Sequence, residues 1–80
     1  MMGNSVDQQL IEILAEVFEV SPDAITQDIK MDDIEAWDSL GHLRLFMAIE
    51  EKMGVKFSTD EIVRISSLEE IKNSIINKQR

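Results

Sequence analysis

The stretch Glu35-Ala36-Trp37-Asp38-Ser39-Leu40-Gly41-His42-Leu43 gathers a hydroxyl, a carboxylate and an imidazole within five residues. Ser39 and His42 stand at i and i+3, so on a helix their side chains could meet. Asp38 adjoins Ser39 and cannot easily orient His42 from behind. A G-x-S-x-G elbow is missing, and a bare helix start offers no evident oxyanion hole. Hydrolase chemistry is therefore not expected. On a helical wheel His42 falls near the apolar stripe, where a partly buried, hydrogen-bonded histidine is the plainer reading.

The acid-rich run Asp28 to Ser39 invites a second chemistry, calcium binding. An EF-hand loop wants acids at its first, third and fifth positions, glycine at the sixth and glutamate at the twelfth. Counting from Asp28, Lys30, Asp33 and Ser39 fall at the third, sixth and twelfth, so the pattern fails and no metal site is assigned, with weak divalent-ion binding by the crowded acids left open. A third possibility is an anion site. Ser39 sits in the first turn of a helix, where free N–H groups and the helix dipole favour negative charge. A phosphate ester on its hydroxyl would be well placed there. A serine at a helix start is also an ordinary choice for the chain, and position alone does not decide. Gly41 either clears space beside a group on Ser39 or allows close helix packing. Trp37 reads as exposed.

The elements that must position these residues are helical. Ser5 with Gln8 makes an S-x-x-Q capping box. Val6, Leu10, Ile13, Leu14, Val17 and Phe18 then fall on one arc at about 100° per residue, giving a first helix over residues 5–19. Ser21-Pro22 can open one short turn. The segment up to Asp38 reads as a long ordered loop pinned by Ile25, Ile29, Ile34 and Met31, and loops this long in small domains are usually functional. Asp38 caps a second helix reaching Met53, with Gly54 as its C-terminal stop. Ser58 to Glu61 and Ser67 to Glu70 are two further capping boxes. The first opens a short third helix carrying Ile62 and Ile65; the second opens a fourth with Leu68, Ile71, Ile75 and Ile76 inward. No strand pattern is evident. The expected fold class is all-α: a small four-helix bundle, three helices long and one short, with a long loop between the first two.

The second helix has too many apolar residues for one stripe. Leu45, Phe46, Ile49 and Met53 cluster on one side. Leu40, Leu43 and Met47 lie on another, among Arg44, Glu50 and Glu51. The second set is either a charge-rimmed docking face or is covered by a bundle that wraps the helix on two sides.

Eighty residues make one domain, here 1–80, and bury only about 60% of the unfolded surface, which leaves no room for a deep cleft. The net charge of −8 disfavours nucleic acid and anionic membranes as partners and favours basic protein surfaces. Lys30 is the only basic residue before Asp38. Without cysteine there are no disulfides, thiolate nucleophiles or zinc–thiolate sites. The first ten residues lack the basic and apolar regions of a signal peptide, and no apolar run could span a membrane, so a cytoplasmic location is expected.

Asp38-Ser39-Leu40 resembles the prosthetic-group attachment motif of the acyl carrier proteins. The similarity extends over nearly the whole chain, through the acidic first helix, the long loop, Met47 to Phe57, the short third helix and the fourth. The resemblance implies that a phosphopantetheinyl transferase esterifies Ser39 with 4′-phosphopantetheine from coenzyme A. The thiol that carries acyl groups then arrives with the cofactor. Asp38 and Leu40 would be read by the transferase. Leu40, Leu43, Arg44, Met47, Glu50 and Glu51 match the family's docking positions for acyl-transferring and condensing enzymes with basic surfaces. Leu45, Phe46, Ile49, Ile62 and Ile65 match its acyl pocket. The resemblance further implies a monomeric carrier that is not itself an enzyme. Arg44 and Val63 stand where the fatty-acid-synthesis members usually have charged residues, acidic in the case of Arg44, and Trp37 precedes the motif. These departures point to a specialised pathway, such as polyketide synthesis, rather than housekeeping fatty-acid synthesis. An aminoacyl or peptidyl carrier and a cofactor-free acidic adaptor stay open as alternatives.

Overall fold

A computed structural model describes residues 6–78. The Ser5 cap lies outside them. Helix α1, Val6–Phe18, buries Leu10, Ile13, Leu14, Ala15 and Phe18. Ala15 thus joins the apolar arc, while Val17 is only half-buried. The helix closes without glycine: Glu19 takes φ 58° and Val20 N–H donates to the Ala15 carbonyl at 3.0 Å. That pattern is a Schellman-type stop.

Ser21 and Pro22 open a single 3-10 turn, Pro22–Ala24, with Ser21 Oγ accepting from Asp23 N–H. Ile25 and Ile29 are buried, and Met31 and Ile34 half-buried, so the loop is pinned where its apolar residues fall. It is also closed on itself. Asp33 N–H donates to the Lys30 carbonyl and Asp32 N–H to that of Trp37, both at 3.0 Å. One feature lay outside the helical expectation. Lys30 and Ser67 form an isolated antiparallel bridge, with Met31 N–H on Ser66 O at 2.8 Å and Leu68 N–H on Ile29 O at 3.0 Å. This strand-like contact sews the loop to the fourth helix.

Helix α2, Ser39–Met53, begins at the Asp38 cap and ends at Gly54, whose φ of 68° is left-handed. Helix α3, Thr59–Arg64, carries the reciprocal Ser58–Glu61 capping box. Glu61 also receives Lys78 Nζ at 2.8 Å and Ser74 Oγ at 3.3 Å, tying α3 to α4, Leu68–Lys78. The Lys78 hydrogen bond and then that of the Ser58 backbone hold the Glu61 carboxyl down at about 2. Two expectations are corrected here. Ile76 is 39% exposed rather than inward, because α4 presents only Leu68, Ile71 and Ile75 to the core. The Ser67–Glu70 box is also half-formed: Glu70 N–H reaches Ser67 Oγ, but the Glu70 carboxylate accepts from Ser66 N–H one residue earlier.

α1 packs against α2 and α4, and α3 against α2. Leu10, Leu14, Trp37, Leu45, Phe46, Ile49, Ile71 and Ile75 are the fully buried centre of one hydrophobic cluster. The architecture is the expected all-α bundle of three longer helices and one short one.

Candidate functional site

The site is built at the start of α2. Asp38 is extended, at φ −100° and ψ −165°, and its Oδ1 accepts the Gly41 N–H at 2.8 Å. Its carbonyl accepts the His42 N–H, also at 2.8 Å. The N–H groups of Ser39 and Leu40 are left unpaired among the described residues, as the opening of a helix requires. Ser39 is exposed, and its hydroxyl has no partner among the described residues. A helix dipole, two free donors and an unengaged nucleophilic oxygen therefore meet at one accessible point.

Beneath that point the structure corrects the expectation for Trp37. It is fully buried, stacked on Phe18 at 5.5 Å between ring centroids. Its indole Nε1–H donates to His42 Nδ1 at 2.9 Å. A tryptophan pays for burial only if its N–H finds an acceptor, and His42 supplies one. No periodicity could have revealed this, because Trp37 sits in the loop and outside any helical register. The available signal was chemical: a lone tryptophan five residues before a histidine already placed inward.

His42 is 6% exposed, and its second nitrogen, Nε2, lies 2.8 Å from the Ile62 carbonyl. A carbonyl only accepts, so Nε2 carries the proton and Nδ1 is the acceptor. Both ring nitrogens are thus engaged away from Ser39, and neither is free to take its proton. Gly41 is buried: a Cβ there would collide with the Ala36 carbonyl oxygen and press the Phe18 ring at 3.3 Å. Its role is close packing of α2 against the loop, not clearance for a group on Ser39.

The two sides of α2 separate as the wheel predicts. Leu45, Phe46 and Ile49 are buried, whereas Leu40, Leu43 and Met47 are 60%, 52% and 69% exposed. Met53 is half-buried, as are Ile62 and Ile65, which pack against the core. Ile65 is the residue that closes α3 rather than part of it. Arg44 and Glu51 are exposed, and Arg44 has no ion-pair partner among the described residues. Glu50 is partly committed: its Oε2 accepts the Phe57 N–H at 3.0 Å. An open groove runs past Arg44, Met47, Ala48, Val55 and Lys56 on this outer side. No group of three or more potential metal ligands occurs among the described residues.

Residues 8–75 match the family described as the phosphopantetheine attachment site. An acyl carrier protein of Campylobacter hominis is 31% identical over 72 residues, covering 90% of this chain and 91% of the relative. One from Rickettsia canadensis is 31% identical over 77 residues, covering 95% and 88%. The chain belongs to the acyl carrier protein family. Its prosthetic group is 4′-phosphopantetheine, covalently bound, which supplies a thiol that this cysteine-free chain lacks. The start of α2 fits such a group. An anionic phosphodiester would suit the two N–H donors left unpaired among the described residues, and the Ser39 hydroxyl would give up no hydrogen bond to them on esterification. No helix among the described residues is long and apolar enough to cross a membrane.

Proposed function

We propose that Ser39 is the attachment point and that this acyl carrier protein presents thioester-bound acyl groups to successive enzymes, without catalysing a reaction itself. The observation that carries the proposal is the exposed hydroxyl at the start of α2, within Asp38-Ser39-Leu40, which has no hydrogen-bond partner among the described residues. Asp38 contributes by fixing the helix start, and Leu40 by standing 60% exposed beside the serine, where a transferase could grip it. His42 has both nitrogens engaged in the core, which supports a carrier over a hydrolase.

Docking is assigned to the outer side of α2. Leu40, Leu43 and Met47 supply apolar area, and Arg44, Glu50 and Glu51 supply charge. The seam between α2 and α3, with Leu45, Phe46, Ile49, Ile62 and Ile65 on its inner side, is where an acyl chain would lie if it entered the core. The partners are a phosphopantetheinyl transferase and acyl-transferring or condensing enzymes. We take the chain to work as a single cytoplasmic monomer. Arg44 and the 75% exposed Val63 favour a specialised pathway over housekeeping fatty-acid synthesis.

The test is loading with a broad-specificity phosphopantetheinyl transferase and coenzyme A, followed by intact-mass and peptide mapping. The expected product is one adduct, on Ser39, absent from Ser39→Ala. An alanine variant that still accepts the group, or a wild type that never does, would remove Ser39 from this role.

A further inference from the structure

The inner side of α2 holds more than packing. Five rings run in series through the core. Phe18 stacks on Trp37, Trp37 lies 6.2 Å from His42, and His42 and Phe57 each meet Phe46 edge-on at 4.8 Å. A polar chain runs through the middle of this series. Trp37 Nε1–H donates to His42 Nδ1 at 2.9 Å, and His42 Nε2–H donates to the Ile62 carbonyl at 2.8 Å. Three pieces of the fold are joined by it: the loop ahead of Ser39, α2 and α3.

The His42–Ile62 bond crosses the seam between α2 and α3 one turn along from Ser39, and the Phe46–Phe57 pair holds the seam farther along α2. A seam of leucine and isoleucine parts easily, because an inserted hydrocarbon replaces the contacts it displaces. A hydrogen-bonded seam does not. A methylene replaces neither donor nor acceptor, so a chain passing between His42 and Ile62 leaves a buried N–H and a part-buried carbonyl unpaired. Each methylene buried brings only a small, constant gain, so a short chain does not offset that loss. The rings add to the resistance, since close-packed planar groups yield little volume without moving their neighbours.

We propose that the Trp37–His42–Ile62 hydrogen-bond chain latches α3 onto α2 and keeps the cargo outside the core, so that this carrier serves short or polar acyl groups. The proposal rests on Ser39 as the attachment point. It narrows the seam from a general acyl pocket to one that short chains do not enter.

Trp37 is the only tryptophan in the sequence, so its indole N–H gives a single proton resonance. The experiment loads the protein with acetyl, butyryl, hexanoyl and octanoyl phosphopantetheine and confirms each adduct by mass. It then records the indole resonance and the rate of thioester cleavage by hydroxylamine. Water and nucleophile reach an exposed thioester freely, so the acetyl, butyryl and hexanoyl forms should be cleaved within about twofold of one another. The indole resonance should stay at its holo position. In His42→Leu the latch is gone, and the hexanoyl and octanoyl forms should be cleaved several-fold more slowly than the acetyl form. His42→Phe, which keeps a ring but loses both hydrogen bonds, serves if the leucine variant does not fold. A wild type whose cleavage slows and whose indole resonance moves with each added pair of carbons up to hexanoyl overturns the latch while leaving Ser39 in place. Folded variants that gain no protection overturn it too. Failure to load Ser39 removes the attachment point and the latch proposal with it.

Discussion

The inner and outer sides of α2 are built from similar residues and do opposite things. Inside, Leu45, Phe46 and Ile49 are buried, and Gly41 and His42 carry specific contacts to Ala36, Trp37 and Ile62. Outside, Leu40, Leu43 and Met47 stay more than half exposed, beside an Arg44 that has no ion-pair partner among the described residues. The inner side has its partners within the chain. The outer side has apolar area without one, and exposed apolar residues rimmed by charge are what a transient partner surface requires. Hydrophobicity alone does not separate the two sides; the neighbours each side meets do.

The largest expected effect comes from adjacent positions on opposite sides. Phe46 is 1% exposed and wedged between His42 and Phe57, so Phe46→Ala should cost about 3–5 kcal/mol in urea melts. Met47→Ala should stay within about 0.5 kcal/mol, as for an ordinary surface change. Comparable losses at the two positions would erase the distinction between the sides. Gly41 gives a smaller effect of telling sign. Helix propensity alone would make Gly41→Ala stabilising by about 1 kcal/mol. The collision with the Ala36 carbonyl instead predicts a net loss of about 1–3 kcal/mol, because backbone rather than a side-chain tip must move. A stabilised variant would mean that α2 and the loop are farther apart than described.

Legibility in the sequence followed locality. Helices α2 and α3 were readable because their caps are short-range chemistry: Asp38, Gly54 and the Ser58–Glu61 pair each act within four residues. The two sides of α2 were readable from period alone. Two features escaped because they depend on distant partners. Trp37 is buried against Phe18 and the Lys30–Ser67 bridge joins segments far apart in the chain, whereas the close packing found at Gly41 was one of its two readings. Ile76 failed for a subtler reason. It continues the apolar spacing of α4, but the core takes only Leu68, Ile71 and Ile75 from that helix and leaves Ile76 at its edge, 39% exposed. At the candidate site, the place of Ser39 at a helix start and its Asp38 cap were legible, while the hydrogen bond beneath them required a carbonyl from α3.

The smallest expected effect lies wholly on the outer side and concerns which enzymes it meets. Arg44 is exposed on the same side as Leu40, Leu43 and Met47, and Lys56 lies along the same groove. Of the two acids nearby, Glu50 has one oxygen engaged by the Phe57 N–H, leaving Glu51 as the freer negative charge. An acidic protein of net charge −8 thus presents a locally mixed surface where docking is assigned. A partner built with lysine and arginine at its active-site mouth would meet Arg44 as a like charge, which weakens that complex and selects against it. A dedicated partner should carry an acid there. Arg44→Glu should therefore raise turnover with a fatty-acid ketoacyl synthase by about two- to fivefold, the scale of one solvent-exposed charge pair. Both carriers must bear the same acyl group, and stability should not change, since Arg44 has no ion-pair partner among the described residues. The gain should shrink as salt rises from low ionic strength to physiological levels, because an exposed pair is screened over about 8–10 Å. An equal rate for the two carriers at low salt would show that Arg44 does not choose partners. The apolar strip would then have to discriminate by shape alone.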